Sequence, residues 1–179
     1  MAVSVGGMVI TPDTKNWTWV LERECPECGF DSSGVTLADI PGMLRANVQA
    51  WPAVLSRADV RTRPDASTWS PLEYSAHVRD VFGVFARRLD LMLTEDDPAF
   101  ENWDQDATAV AERYSEQDPQ KVDRELVAAG LALADAFDRV PADAASRTGR
   151  RSDGSRFTVE TLGRYLLHDP VHHLWDVTH

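Results

Sequence analysis

The chain has 179 residues, of which 43% are hydrophobic, so it is long enough to bury the core of one domain. Its formal net charge is −11, which excludes nucleic acids and anionic membranes as expected partners, because binding to such surfaces requires clustered lysine and arginine. No apolar run approaches the roughly 20 residues of a membrane span, and the first residues lack the pattern of a signal peptide, so we expect a cytoplasmic protein.

An irregular N-terminal extension, residues 1–33, contains the sequence CPECG. The turn of a CPxCG sequence aims two thiolates at one ion in many structural zinc sites. Zinc takes four ligands, however, and Cys25 and Cys28 are the only cysteines of the chain. Three interpretations are open: a reduced structural pair, a redox-active pair, or half of a zinc site that distant histidine or aspartate ligands, or a second subunit, complete.

Four segments with helical periodicity follow within residues 34–179, separated by polar stretches rich in proline, aspartate and glycine. Apolar residues recur every three or four positions over about 36–56 and 70–93. A third such segment covers about 118–140, and a fourth begins near residue 158. No alternation typical of a strand has comparable length. This pattern predicts an all-α protein, a four-helix bundle whose facing side chains can build a metal site.

Four of the five histidines lie in the last twelve residues, HDPVHHLWDVTH. On a helix, His168 and His172 lie one turn apart on one face, which is the spacing at which two ligands share a cation. With His77 of the second helix, three imidazoles would hold a metal and leave coordination positions open. The alternative is that these are core histidines with one hydrogen bond each. Pro170 also raises the alternative that a new helix begins between His168 and His172.

The stretches WSPLEYSAHVRDVF, NWDQDATA and LLHDPVHHLWDV resemble the DinB-like (DinB/YfiT-like) superfamily of metal-dependent four-helix proteins. The chain looks most like the actinobacterial branch related to mycothiol-dependent maleylpyruvate isomerases. The resemblance implies a divalent metal, zinc or nickel, held by His77, His168 and His172. It also implies that this metal activates a low-molecular-weight thiol, such as mycothiol, for S-transfer or isomerisation. Many members have no established activity, so a non-catalytic metal-binding or stress-related protein is the alternative.

Further residues are candidates for the surroundings of the metal. Glu73, one turn before His77, is placed to orient that imidazole, and Asp169 flanks the histidines of the last helix. Arg79 is a candidate for binding an anionic substrate group, and Trp103, in an interhelical loop, for covering the metal cavity. Solvation or helix capping is the alternative for both carboxylates. A basic cluster in the last interhelical loop is a second candidate for binding an anionic substrate group, and a loop exposed to solvent is the alternative for it. This cluster consists of Arg147, Arg150, Arg151 and Arg156.

We expect the substrates to be a small-molecule thiol and an electrophile. We also expect a homodimer, because the exposed aromatic and aliphatic residues of the first helix can supply a two-fold interface.

Overall fold

The computed structural model describes residues 16–179, so residues 1–15 of the predicted N-terminal extension lie outside the described part. The α-helices are α1 (Ile40–Val48), α2 (Trp51–Leu55), α3 (Pro71–Thr94), α4 (Gln105–Ala111), α5 (Pro119–Asp138) and α6 (Val159–Asp176). The strands are β1 (Ala99–Phe100), β2 (Thr148–Arg151) and β3 (Arg156–Thr158), and short 3-10 helices cover Trp17–Leu21, Tyr114–Glu116 and Ala142–Ala144. Among these helices none combines the length and the apolar character needed to cross a membrane.

Helices α1, α5, α3 and α6 form the bundle. Contacts link α1 with α5, α5 with α3, α3 with α6, and α6 with α1, so the four helices enclose one core. Each contributes fully buried apolar side chains to it, among them Leu44, Phe82, Leu133 and Leu162. The predicted helices over 70–93, 118–140 and from 158 correspond to α3, α5 and α6.

The first predicted helix, 36–56, is interrupted at residues 49–50, between α1 and α2. Pro52 explains the interruption, because it has no backbone N–H with which to bond the carbonyl of Val48. The side chain of Asn47 links the pieces: its amide oxygen accepts from Trp51 Nε1 at 2.9 Å, and its Nδ2 donates to the carbonyl of Pro170 at 2.9 Å. The end of α1 is therefore fastened to the middle of α6.

A small sheet corrects the all-α prediction. β1 pairs with β2 in parallel, and β2 pairs with β3 in antiparallel fashion, with Gly149 opposite Phe157. These strands have two to four residues, which is too short for an alternating pattern to be visible in the sequence. The sheet matters for the site because β2 carries Arg151, one residue of the basic cluster, whose side chain is 9% exposed.

The N-terminal residues of the described part pack on α6. Trp17 lies with its ring centroid 5.3 Å from those of both His168 and His172. The hydroxyl of Ser32 donates to the carbonyl of Val20 at 2.7 Å, which closes this segment on itself. The boundary between residues 33 and 34 as a division between domains stays a prediction.

Candidate metal sites

Helix α6 carries two interleaved pairs of potential metal ligands. Pro170 lies inside the helix without ending it, so the alternative of a new helix beginning there is wrong. Because successive residues turn by about 100°, His168 and His172 lie on one face of α6, and Asp169 and His173 lie on the neighbouring face. Each pair has the four-residue spacing at which two side chains can share a cation.

Asp169 and His173 face His77 of α3, and one ligand atom from each residue lies within 4.8 Å of the others. The Nε2 atoms of His77 and His173 lie 3.4 Å and 3.8 Å from Asp169 Oδ1. These are ion-pair distances without hydrogen-bond geometry: within residues 16–179, both ring nitrogens of His77 and Oδ1 of Asp169 are buried and lack a hydrogen-bond partner. Polar atoms buried in this way are costly, so a divalent cation fits this group, which we call the cavity group.

Neighbouring side chains fix the two imidazoles of the cavity group. Nδ1 of His173 lies 2.8 Å from Asp176 Oδ2, so the proton on Nδ1 is donated to the carboxylate and Nε2 keeps its lone pair for the group. The indole of Trp103 stacks on His77, with ring centroids 5.3 Å apart and planes inclined by 8°. Both rings are therefore held in one orientation before any ligand arrives.

The ionisation of these residues suits a cation. Burial raises the pKa of Asp169, but the imidazoles of His77 and His173 outweigh it and hold the pKa at about 2. Asp169 is therefore an anion at neutral pH. Burial, with a smaller effect of the neighbouring His172, lowers the pKa of His168 to about 4, and burial also lowers the pKa of His172. Neutral imidazoles are the form that binds metals.

His168 and His172 face the cysteine pair. One ligand atom each from Cys25, Cys28, His168 and His172 lies within 4.8 Å of the others, and we call these four residues the cysteine group. Both cysteines are free thiols. The backbone turn is closed by the N–H of Gly29, which donates to the carbonyl of Cys25 at 2.9 Å. Gly29 has a φ of +71°, a left-handed conformation that favours glycine.

The structure therefore divides the three predicted ligands between two groups. His168 and His172 belong with the cysteines, whereas His77 belongs with Asp169 and His173. The reason is the rotation of α6: the face that meets α3 is the one bearing Asp169 and His173, about 100° away from the predicted pair. The ligand set of His77, His168 and His172, and the choice between zinc and nickel, stay predictions.

Two other candidates have different partners from those expected. Glu73 accepts from the backbone N–H and the hydroxyl of Ser70 at 2.9 Å and 2.7 Å and pairs with Arg63, so it caps α3, and Asp169 takes the place beside His77. Arg79 pairs with Asp80 and Glu125 at 2.8 Å and 2.9 Å. Its guanidinium is therefore engaged in ion pairs instead of facing the cavity described next.

A cavity of about 400 Å³ adjoins the cavity group. Its lining includes Asp169 and His173 together with the aromatic side chains of Trp69, Tyr74 and Trp103. Burial raises the pKa of Tyr74 well above its usual range, so its hydroxyl stays protonated at neutral pH. The volume falls in the range of small-molecule sites, about 300–1,000 Å³. Aromatic walls exclude water, which strengthens any polar contact inside.

Two buried arginines also line this cavity. Arg88 is 6% exposed, donates from Nη2 to the carbonyl of Glu101 at 3.1 Å, and has no carboxylate at ion-pair distance within residues 16–179. Burial, with a smaller effect of the Arg151 charge, lowers the pKa of Arg88 to about 10, so it is still protonated at neutral pH. Arg151 differs because it pairs with Asp153 at 2.6 Å. Arg88 is thus a buried cation that can receive an anionic group.

A profile of the DinB superfamily matches residues 43–177. This chain belongs to the DinB superfamily. The solved structure of YfiT from Bacillus subtilis, described as a probable metal-dependent hydrolase with an unusual four-helix bundle topology, matches with a TM-score of 0.61 and 20% sequence identity. The match covers 90% of this chain and 83% of YfiT, and at this identity it shows the shared fold. A comparison with curated proteins gives no match.

In this DinB superfamily protein, His173 and Arg88 line the cavity but were not among the residues predicted from the sequence. Asp169 and His173 have the same four-residue spacing as His168 and His172, so the spacing indicates both pairs equally. Arg88 follows His77 by eleven positions on α3, which is close to three full turns and places both on one face. An arginine on the same helix face as a candidate ligand therefore indicates a position near the metal.

Proposed function

We propose that this DinB superfamily protein is a divalent-metal-dependent enzyme that activates a low-molecular-weight thiol for attack on a small anionic electrophile. The observation that supports it best is that Asp169 and His173 of the cavity group line a cavity of about 400 Å³, with the fully buried His77 within 4.8 Å of them. Three protein ligands leave a coordination position for a substrate, as in catalytic sites, whereas a site that only stores or stabilises has no need of such a cavity.

The residues of the cavity group have separable roles. Asp169 contributes a negative charge, and the two imidazoles contribute nitrogen ligands, of which His173 is held by Asp176 and His77 by Trp103. A divalent cation held there lowers the pKa of a thiol or a water that it contacts, so that a nucleophile is available near neutral pH. The thiol is favoured by the resemblance to mycothiol-dependent isomerases, and water would correspond to the hydrolase proposed for YfiT.

The remaining cavity residues point to an anionic electrophile. Arg88 is a buried cation without a carboxylate partner in the described part of the chain, and a carboxylate on the substrate would supply one. The hydroxyl of Tyr74 can donate a hydrogen bond to the reacting molecule. In S-transfer, the thiol releases its proton to solvent, a C–S bond forms as the bond from that carbon to the leaving group breaks, and the leaving group departs with the electron pair. In isomerisation, the sulfur adds and later leaves, so the thiol is regenerated.

The test is turnover by protein loaded with zinc or nickel, offered mycothiol or a simple thiol together with electrophiles that do or do not carry a carboxylate. We expect a thioether or isomerised product, loss of that product in His77→Gln, and unchanged turnover in the matched control His179→Gln, whose histidine is exposed at the end of the chain. Arg88→Gln should raise KM for carboxylate substrates at least about tenfold. Arg87→Gln, which changes the neighbouring exposed arginine, should leave KM unchanged.

Each arm of this experiment has a contrary outcome. Product formation in the absence of a thiol, from ester or amide substrates, would replace the thiol by water and make the protein a hydrolase. Tight metal binding without metal-dependent turnover of any substrate would favour the non-catalytic alternative. Equal turnover by the parent and His77→Gln would mean that the cavity group has no role in the reaction.

A further inference from the structure

The cysteine group shares no residue with the cavity group, although His168 and His172 also line the cavity, and it has the donor set of a closed metal site. Its four residues are two cysteines and two histidines, with ligand atoms within 4.8 Å of one another. Cys25 Sγ lies 3.7 Å from His172 Nδ1. A tetrahedral zinc ion with Zn–S of about 2.3 Å and Zn–N of about 2.0 Å separates a sulfur and a nitrogen ligand by about 3.5 Å. The observed 3.7 Å is close to this value, so the two atoms are spaced for zinc with little movement.

The surroundings of the cysteine group call for an ion. His168 is 5% exposed, and its Nε2 is buried with no hydrogen-bond partner in the described part of the chain. Aromatic rings enclose it, with the centroids of Trp17 and Phe30 at 5.3 Å and 6.0 Å from its own. An imidazole nitrogen without a partner among such walls is costly. One Zn²⁺ with two thiolates has no net charge and therefore suits an apolar enclosure.

A carboxylate on the far side of His172 fixes which nitrogen faces the sulfur atoms. Glu27 Oε2 lies 3.2 Å from His172 Nε2, while Nδ1 faces Cys25. A carboxylate beside one ring nitrogen keeps the proton there and leaves the other nitrogen free as a ligand, an arrangement that recurs around zinc-bound histidines. Glu27 is one of the two residues between the cysteines, so the CPECG turn supplies both the thiols and this acceptor.

We propose that Cys25, Cys28, His168 and His172 bind one structural Zn²⁺ ion, which fastens the N-terminal segment to α6. Two thiolates and two imidazoles in a tetrahedron form a closed site, and this combination selects zinc over harder divalent ions. The CPxCG sequence supplies two of the four ligands that zinc needs, and His168 and His172 of the same chain supply the other two.

Neighbouring residues of α6 provide a matched pair of variants, because His172 belongs to the cysteine group and His173 to the cavity group. The full-length protein would be loaded with Co²⁺, and thiolate-to-cobalt charge-transfer absorption would be recorded along with bound metal per chain. We expect this absorption in the parent and in His173→Gln, its loss in Cys25→Ser/Cys28→Ser, and in His172→Gln a weaker affinity for Co²⁺ with altered d–d bands. Absence of the absorption in the parent, or unchanged Co²⁺ affinity and d–d bands in His172→Gln, would overturn the proposal.

A second measurement needs no variant. Zinc-loaded parent protein would be titrated with a mercurial thiol reagent while a chromophoric chelator reports free zinc. We expect one zinc ion to be released as the mercurial reacts with the two thiols. In a parallel sample treated with iodoacetamide, both thiols should be alkylated slowly while zinc is bound. Fast alkylation without zinc release, or isolation of the protein with a Cys25–Cys28 disulfide and no zinc, would refute the site. Neither result depends on turnover, so failure of the proposed function would leave this test intact.

Discussion

Gly163 in α6 provides a quantitative test of the packing that orients the metal ligands. A Cβ at this position would lie 2.3 Å from Ile40 Cδ1 and 3.1 Å from Phe137 Cε1, and both neighbours are buried. Gly163→Ala therefore overpacks the contact of α6 with α1, which costs about 1–3 kcal/mol, while the helix preference of alanine over glycine returns about 1 kcal/mol. We expect a net loss of about 0–2 kcal/mol, which lowers Tm by up to about 8 °C in a domain of this size.

Gly83 in α3 is the matched control. The nearest atom to a Cβ built there is Arg87 Nη1 at 3.7 Å, an ordinary contact, so only the helix preference acts. Gly83→Ala should therefore stabilise the protein by about 0.5–1 kcal/mol. Thermal unfolding followed by circular dichroism would compare the variants in the presence of a chelator, so that bound metal does not shift Tm. If both variants moved Tm in the same direction, the close approach at Gly163 would be refuted.

Three further predictions concern carboxylates and pH. Glu73→Gln should cost about 1–3 kcal/mol in the urea unfolding free energy at pH 7, because it removes the buried carboxylate that pairs with Arg63, while glutamine can keep the capping box of α3. Burial raises the pKa of Glu73, but its hydrogen bonds outweigh burial and hold the pKa below the ordinary value of about 4.3. The cost of Glu73→Gln should therefore shrink as pH falls below about 4, and a cost that stays constant would contradict this prediction. Asp176→Asn should weaken metal binding at the cavity group about 10–100-fold in chelator competition, since the carboxylate fixes the His173 tautomer; unchanged affinity would contradict this. Metal-free protein should lose stability as pH falls from about 6.5 towards 4, because burial keeps His168 neutral in the folded state while the histidine of the unfolded chain takes up a proton. A Tm that stays constant over that pH range would count against this prediction.

The sequence predicts the long helices well because their signals are local. The start of α3 follows from Ser70 and Pro71, a capping residue and a proline at the first helical position. The start of α5 follows from Asp118 and Pro119 in the same way. The strands are too short to carry a pattern, and α4, although it is capped by Asp104, has no buried residue in its seven positions and therefore no apolar stripe. Their positions depend on contacts with distant parts of the chain, which a local pattern does not contain.

The site was predictable in its residue types and spacing but not in its grouping. The sequence HDPVHH contains two pairs of ligands with the same four-residue spacing, and periodicity alone does not say which pair faces His77. That choice is made by the rotation of α6 in the bundle, which depends on contacts such as the hydrogen bond from Asn47 to Pro170. The partners of the CPxCG turn lie about 140 residues further on, so only the fold brings them together.

The two groups use consecutive residues of one helix, and this has a consequence for how the sites depend on each other. His168 and Asp169 differ by about 100° in direction, as do His172 and His173, so a rotation of α6 that brings one pair into place also sets the other. A zinc ion in the cysteine group would hold α6 in the rotation that presents Asp169 and His173 to His77. The groups also differ in ligand chemistry: thiolates favour zinc, whereas two imidazoles and a carboxylate accept a wider range of divalent ions. One helix can therefore carry a metal that fixes its position beside a metal that meets substrate.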